Sequence, residues 1–429
     1  MPQIKPDVET FARIRVVGVG GSGKNAVNHM VNSKVDGVDF IAINTDSQDL
    51  HHSLARKKIH IGKNVTRGLG AGMNPELGKR AAEETKEEIQ ESLKGADMVF
   101  VSCGLGGGTG TGAAPIIAKV AKEMGALTIG VVTKPFFFEG QQRMRFAEQG
   151  LEELKKSVDA IIIIPNDRIL STISKDTTAK QAFAICDEVL KQAVQGISDL
   201  ITTPGIINVD FADIRAVLDN AGSALMGIGI GSGEKRAEEA AKAAINSPLL
   251  DISIHGAKGV LFSIAGGDDV TMFEIQDAAK IITESADPNA KIIFGTIRDD
   301  SVKKGDLKVT VIASGFPEPS NRRMFTEMNR IERETDQRVA TAPIAAAMIQ
   351  ERNREKIQEH TPERSRIFNS VTPSPINTKD GRESREGVLG SPVSVSAKPP
   401  MKDGRDDKKD DDSDDWNAIP AFLRRSKIK

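Results

Sequence analysis

The stretch "GLGGGTGTGAAP" runs from Gly104 to Pro115, and five glycines and two threonines fall within its Gly106–Gly112 core. A tight turn needs one or two glycines, so a run this dense has another cause. Glycine lets the backbone come close to a bound group and turn several N–H groups toward one anion. The stretch follows "DMVFVSCG", which reads as a buried strand, and it opens a helix whose positive N-terminus faces the same point. Thr109 and Thr111 carry hydroxyls able to donate to phosphate oxygens. Gly104, Gly106, Gly107, Gly108, Thr109, Gly110, Thr111 and Gly112 are therefore read as one phosphate-cradling loop.

An earlier loop matches two phosphate patterns at once. In "RVVGVGGSGKNAVNHM", Arg15–Met30, the spacing Gly18-x-Gly20-x-x-Gly23 is the dinucleotide fingerprint. Asp46, after the second strand, stands roughly where that fingerprint places a ribose-binding acid. Gly18, four residues and then Gly23-Lys24 also spell a P-loop. Asn25, however, lacks the hydroxyl that normally holds magnesium, no strand ends in a clean Walker-B aspartate, and the guanine-reading N-K-x-D is absent. The dinucleotide pattern implies an NAD-dependent oxidoreductase. The glycine run at Gly104–Gly112 counts against that reading, because a loop of that kind can hold phosphates by itself.

Aliphatic strands alternate with helices through the first third: "RIRVVGVG", "VDFIAINT", "DMVFVSCG", "ALTIGVVT" and "DAIIIIP". That pattern predicts a parallel sheet covered on both faces. "PELGKRAAEETKEEIQESLKG" reads as one helix, with Pro75 near its start and Gly95 after its end. A long helical pattern runs from about Lys180 to Ile201, and "SGEKRAEEAAKAAI" reads as a helix that Ser232 caps. "GSALMGIGIGSGEKR" reads as a glycine-bearing strand entering that helix, not as a further phosphate loop. "KGVLFSIAG", "KIIFGTIRD" and "KVTVIASGF" are strands, with the helix "TMFEIQDAAKIITESA" among them.

The expected class is α/β: a parallel-sheet nucleotide-binding domain joined by a long central helix to a smaller mixed α/β domain, then a disordered tail. The boundaries expected are an N-terminal extension at 1–12, the first domain at 13–179 and the central helix at 180–205. The second domain follows at 206–317, then a linker at 318–415 and a docking peptide at 416–429. The linker is polar and cannot bury enough surface to fold; as a coil it would span about 50–60 Å. Its only apolar island is "TAPIAAAMIQ", 341–350. The final "WNAIPAFLRRSKIK" is apolar and basic, the pattern of a tethered docking motif.

Composition excludes several classes. Net charge is −2 and aromatic content 4%, with no Tyr and one Trp, Trp416. No global field or stacking platform marks a nucleic-acid binder, so no nucleic-acid partner is expected. Two cysteines, Cys103 and Cys186, make no disulfide framework and fit a reducing cytoplasm. The N-terminus lacks a signal-peptide apolar stretch, and the longest aliphatic run, Ala160–Ile164, is too short to span a bilayer. His51, His52 and His60 lack zinc-site spacing, and no metal-ligating side chains are assigned.

"GGGTGTG", Gly106–Gly112, resembles the signature of the tubulin/FtsZ superfamily. The resemblance to FtsZ proteins extends over most of the first 316 residues. It includes "GVGGSGKNAVNHM", "NTD" at Asn44–Asp46, "GLGAGMNPELG", "VVTKPF", "FEG", "IPND", "NVDFADIRAVL" and "SPLLD". "IPAFLRR" resembles the family's C-terminal peptide.

The resemblance implies a site for GTP and its product GDP, with Mg2+ held through the phosphates. Gly20, Gly21, Ser22, Gly23, Lys24 and Asn25 lie under the nucleotide; Ser22 and Lys24 depart from the family's plainer glycine run. Asn44 belongs to the same pocket. Ala71, Gly72 and Asn74 face the γ-phosphate, Thr133 and Pro135 line the sugar, and Glu139 and Arg143 contact ribose and nearby phosphate. Arg143 also reads as a plain surface cation, and Phe137 replaces a commonly polar residue. Phe183 stacks on the base while Asn25, Asn166 and Asp187 read it. Guanine offers N1–H and N2–H, and a carboxylate accepts both; Asp187, four residues after Phe183, shares its helix face.

The same resemblance implies that Asn208, Asp210 and Asp213 are catalytic, completing the pocket of the next subunit in a head-to-tail homopolymer. Read from the residues alone, Asp210 or Asp213 is equally a helix cap. The partners implied are further copies of the chain and, through the tail, membrane-bound division adaptors such as FtsA or ZipA. Contact with the membrane is then indirect, and the expected location is cytoplasmic, at the mid-cell division site. A rival within the superfamily is a filament protein serving DNA segregation or cell shape; the terminal peptide counts against it.

Overall fold

The alternation of apolar segments and amphipathic helices folds in the order β1 (Ile14–Val19), α1 (Gly20–Asn32), β2 (Val38–Asn44), α2 (Ser47–His51), β3 (Lys57–His60), α3 (Lys63–Thr66), α4 (Pro75–Glu84) and α5 (Lys86–Leu93). Then come β4 (Met98–Gly104), α6 (Thr109–Glu123), β5 (Leu127–Lys134), α7 (Gln141–Lys155), β6 (Ala160–Pro165), α8 (Asn166–Leu170) and the long α9 (Ala179–Thr202). The second part holds α10 (Phe211–Leu218), β7 (Gly222–Ser232), α11 (Arg236–Ile245), β8 (Gly259–Gly266), α12 (Met272–Ser285), β9 (Lys291–Arg298) and β10 (Asp306–Ser314). This computed structural model describes residues 12–174, 176–247, 254–299 and 302–316. The expectations for 1–11, for most of "SPLLD", for the linker and for the terminal peptide lie outside the described residues.

The strands form one sheet in the order β3-β2-β1-β4-β5-β6-β7-β10-β8-β9. From β3 to β6 every pairing is parallel, as continuous aliphatic strands require. β7 is shared: Gly222–Ala224 pair in parallel with β6, and Leu225–Ser232 pair antiparallel with β10. β10 pairs antiparallel with β8, and β8 parallel with β9, so the second part of the sheet is mixed.

Alternation along β1 sorts its side chains between two cores. Ile14 and Val16 face the layer of α1 and α9, while Val17 and Val19 face that of α4, α6 and α7. α9 buries Ile185, Val189, Leu190, Ala193, Val194 and Ile197 at helical spacing, so the long helical pattern was correctly read. The glycines of β7 answer to packing: a Cβ on Gly229 would lie 2.0 Å from Ala240 O, and one on Gly227 1.9 Å from Ala244 O. Only bare backbone lets α11 approach so closely.

Two local expectations are corrected. The single helix from Pro75 breaks at Thr85, whose φ of −109° and ψ of 19° separate α4 from α5. Its hydroxyl donates to Ala81 O and accepts from Gly62 N, a side-chain alternative to the helical ladder. Ser232 does not cap α11; it pairs with Asp306 at the end of β7. α11 starts at Arg236 behind Lys235 without a side-chain cap, and Glu238 and Glu239 complement its dipole instead.

Candidate functional site

The strand order reverses between β1 and β4. In an open parallel sheet, the crevice outside the strand C-termini at such a reversal is where ligands bind. Both glycine loops lie there: Gly20–Asn25 is the start of α1, and Gly104–Gly112 crosses from β4 into α6. Neither helix has a side-chain cap or an acidic residue in its first turn. By contrast α2, α4, α9 and α12 are capped by Asp46, Asn74, Thr178 and Thr271. Two adjoining uncapped N-termini leave N–H groups and positive dipole ends for an anion.

The loops are packed backbone to backbone. A Cβ on Gly108 would lie 2.3 Å from Gly72 O and 3.0 Å from both Ala71 Cβ and Asn74 N. One on Gly20 would lie 3.1 Å from Gly110 N, and one on Gly104 2.7 Å from Ser22 Oγ. The structure thus brings together three segments read separately, at 20–25, 71–74 and 104–112. Two glycines of these segments have open faces: Gly72 meets nothing within 4 Å, and Gly107 nothing nearer than Arg143 Nη2 at 4.0 Å. Thr111 is buried, and its Oγ1 accepts from Gly106 N at 2.8 Å. Thr109 Oγ1 lies 2.7 Å from Thr45 Oγ1.

Lys24 points neither outward nor freely into the crevice. It is 7% exposed, and its Nζ lies 2.6 Å from Asp49 Oδ1. Asn44 Nδ2 donates to the other oxygen of Asp49 at 2.8 Å. Asp46, the acid that the dinucleotide fingerprint assigns to ribose, accepts from Gln48 N and Asp49 N as the cap of α2.

Across the crevice, Thr133 is buried opposite Gly104 in the β4–β5 register. Pro135 Cγ lies 3.3 Å from a Cβ placed on Gly106. Glu139 accepts from Phe136 N at 2.9 Å and pairs with Arg143 Nη1 at 2.6 Å. Arg143 is thus half-exposed and tied to Glu139 one turn before it on the chain. Arg143 Nε and Asn166 Oδ1 are buried without a hydrogen-bond partner. Buried polar atoms are rarely left so, and a polar ligand in the crevice would satisfy them.

α9 carries the remaining pair. Phe183 is 49% exposed, its ring edge-on to Phe136 at 5.4 Å, and Phe136 stacks on Phe138 at 5.0 Å. Asp187 follows one turn later. Burial pushes its carboxyl up to about 6, with His29 and Lys24 pulling the other way. Asn25 lies exposed in the second turn of α1.

The acidic loop lies elsewhere. α9 has 24 residues, so it is about 36 Å long. Phe183 and Asp187 lie near its start; beyond its end Asn208 Oδ1 accepts from Gly205 N at 2.7 Å. A Cβ on Gly37, just before β2, would lie 2.7 Å from Thr202 Cγ2. Arg215 donates to Gly125 O, beyond the C-terminal end of α6. Asn208, Asp210 and Asp213 therefore belong to the N-terminal edge of the parallel sheet, opposite the glycine loops.

Sequence reasoning missed Asp49, Thr45 and Phe136. Thr45 lay inside the quoted "NTD", and Phe136 inside "KPFFFEG". Asp49 had no signal beyond its position three residues after Asp46. Both thiols are buried and pushed up to about 12, which leaves Cys103 and Cys186 inert. Among the described residues no group of His, Cys, Asp or Glu side chains is arranged to hold a metal ion, and no helix is long and apolar enough to cross a membrane.

Residues 13–174 match the GTPase domain of the Tubulin/FtsZ family, and residues 222–317 match the C-terminal domain of the FtsZ family. Among solved structures the chain is similar to an empty FtsZ dimer of M. jannaschii. It is 47% identical over 71% of this chain and 89% of that one, with a TM-score of 0.68. It is also similar in fold to CetZ2 of Haloferax volcanii, a GTPgS-bound protofilament, at 22% identity, 76% and 99% coverage and a TM-score of 0.62. CetZ1 of the same organism, a GDP-bound monomer, gives the same identity and coverage and a TM-score of 0.63.

Proposed function

The chain belongs to the FtsZ family of tubulin-like GTPases, and from there we propose that it polymerises head to tail and hydrolyses GTP at the contacts between its own copies. The observation that carries this reading is the separation of the two clusters. Asp187 lies 15 residues before Thr202, the last residue of α9, and so about 22 Å from it along the axis. The acidic loop lies beyond that end, and the glycine loops lie at the opposite ends of the parallel strands. One subunit cannot bring them together, whereas a second copy stacked in the same orientation can. Such a contact is heterologous and does not close on itself, so it builds filaments. The FtsZ dimer and the CetZ2 protofilament among the similar structures favour this reading.

In this reading the N–H groups of Gly20–Asn25 and Gly104–Gly112, with Ala71, Gly72 and Asn74, hold the phosphates. Glu139 orients Arg143 toward ribose and phosphate, Thr133 and Pro135 line the sugar, and Asn44 braces the floor. Phe183 stacks on guanine while Asp187, with Asn25 and Asn166, reads its edge. Magnesium is bound chiefly by phosphate oxygens and water, where it offsets phosphate charge.

Asp213 of the neighbouring copy polarises the attacking water. Asn208, its Oδ1 tied to Gly205 N, has its amide N–H groups left to hold that water. Phosphoryl transfer needs positioning and charge stabilisation more than covalent chemistry, so a site completed by assembly makes hydrolysis conditional on it. Loss of the γ-phosphate then weakens the contact.

We assign the filament to the division ring at mid-cell in the cytoplasm. Residues 416–429 dock to membrane-bound adaptors of the FtsA or ZipA kind, many weak tails giving one avid attachment. The deciding experiment measures GTP hydrolysis per subunit against protein concentration, with filament pelleting alongside. Activity is expected only above the concentration at which pellets form, and Asp213→Ala is expected to pellet without hydrolysing. Activity per subunit that is flat with concentration would place a complete site within one chain and sink the proposal.

A further inference from the structure

The polar contacts beneath the two glycine loops form one continuous series. Lys24 Nζ lies 2.6 Å from Asp49 Oδ1, and Asp49 Oδ2 accepts from Asn44 Nδ2 at 2.8 Å. Asn44 Oδ1 accepts from Thr45 N at 2.8 Å, and Thr45 Oγ1 lies 2.7 Å from Thr109 Oγ1. The series begins on the fifth residue of α1 and ends on the first residue of α6. Three members are withdrawn from water, Lys24 at 7% exposed, Asn44 at 3% and Thr45 at 0%, while Asp49 and Thr109 are half-buried. A Cβ on Gly21 would lie 3.6 Å from Asp49 Oδ2, so this carboxylate adjoins the turn that faces the phosphates.

Two things follow from that arrangement. The carboxylate beside Gly21 would repel a phosphate unless neutralised, and Lys24 neutralises it. Asp49 in turn holds Asn44, which fixes Thr45, which meets Thr109. Polar networks in a low-dielectric setting are rigid when every member is satisfied and lax when one is removed.

We propose that Lys24 is a positioning residue for the nucleotide, locking the two glycine loops together through Asp49, Asn44, Thr45 and Thr109 before the ligand arrives. The inference rests on the GTP-binding reading above. It differs from the role that a P-loop pattern gives a lysine at this place, direct contact with the terminal phosphates. Pre-organised loops cost less to order on binding. GDP and GTP gain alike, because the bracing lies beneath both.

The test measures GDP and GTP affinity of the full chain for Lys24→Met, Asp49→Ala, the double variant and Lys24→Arg. Each of the first two is expected to bind both nucleotides about tenfold more weakly, by the same factor for GDP as for GTP. The double variant is expected to bind no more weakly than the worse single, because the series is cut once in either case. Lys24→Arg keeps the ion pair and recovers most of the affinity, and the loss in the others appears in KM for GTP rather than kcat.

Three results would overturn the inference: Asp49→Ala binding GDP as tightly as wild type or more so, Lys24→Met losing GTP far more than GDP, or losses that multiply in the double. Thermal unfolding shows whether each variant folds; if Lys24→Met does not, Asp49→Ala decides alone. Wild type that binds neither nucleotide would sink the GTP reading and this inference with it. Wild type that binds while the variants match it sinks this inference only.

Discussion

Asp210 Oδ1 accepts a hydrogen bond from the backbone N–H of Asp213 at 2.9 Å, so one carboxylate oxygen of the loop is engaged in capping α10. Asp210 is the N-cap of α10. The carboxylate of Asp213 is exposed and has no partner among the described residues, which leaves it available to water. Asp210→Ala should therefore cost about 1 kcal/mol of stability, whereas Asp213→Ala should stay within about 0.5 kcal/mol of wild type. Asp213→Ala should nonetheless lower kcat by about 100-fold or more. Denaturant unfolding and phosphate release measured on both variants check this. Equal destabilisation by the two would remove the division of labour.

Asp187 couples pH to nucleotide affinity. Burial raises its carboxyl from 3.8 to about 6, while Lys24 and His29 on α1 pull it down and His29 is shared with Glu188 at 2.8 Å. Because the folded value lies above the unfolded one, the group's contribution to stability is present below pH 4 or so and is lost as pH rises through about 6. At neutral pH the ionised form is held against burial, and in the proposed site it is the form that accepts from guanine's two donors. GDP affinity should fall as pH drops through about 6, when the acceptor is protonated. Asp187→Asn should lose guanine affinity at pH 7.5 yet stabilise the nucleotide-free protein by on the order of 1–2 kcal/mol. Calorimetric titration from pH 5 to 8, with melting curves on both proteins, reads the two effects; a flat profile would remove Asp187 from base reading.

The glycines of the loop divide by what a methyl group would meet. At Gly112 it would lie 1.9 Å from Pro75 O, and at Gly108 2.3 Å from Gly72 O. Both are backbone atoms with little room to yield, so Gly112→Ala and Gly108→Ala should lose about 2 kcal/mol or more of stability. Gly107 meets only the mobile end of Arg143 at 4.0 Å. Gly107→Ala should melt within a few degrees of wild type while binding GDP about tenfold more weakly, if its face is where phosphate approaches. Unchanged GDP affinity in a well-folded Gly107→Ala protein would count against that placement.

Much of this arrangement was legible in the sequence because it depends on local rules. Strand–glycine–helix junctions announced both loops, and helical spacing announced α9. The break at Thr85 was not legible, because it is made by a hydroxyl accepting from Gly62, a residue distant in sequence. Nor was the place of Lys24, since local pattern left phosphate and solvent both open to it and a partner 25 residues away puts it under the loop. The acidic loop stayed ambiguous in the sequence for a physical reason: a capping carboxylate and a catalytic one have the same residue type and place, and the structure adds only that Asp210 caps α10.

If the catalytic site is divided between copies, two inactive proteins should restore each other. Asp213→Ala keeps its crevice and loses its acidic loop; Asp187→Asn keeps the loop and loses base reading. Each alone should hydrolyse little GTP. In a mixed filament, a crevice from the first and a loop from the second form a complete site. With random order at equal amounts, about a quarter of the contacts have this composition, which sets the ceiling on recovered activity. The recovery should depend on total protein concentration, and it should vanish when the loop-bearing partner also carries Asp213→Ala. Steady-state phosphate release from the two proteins, separately and mixed, is the measurement. A mixture no more active than the sum of its parts, under conditions where both enter the pellet, would mean that the loop and the crevice act within one chain or not together at all.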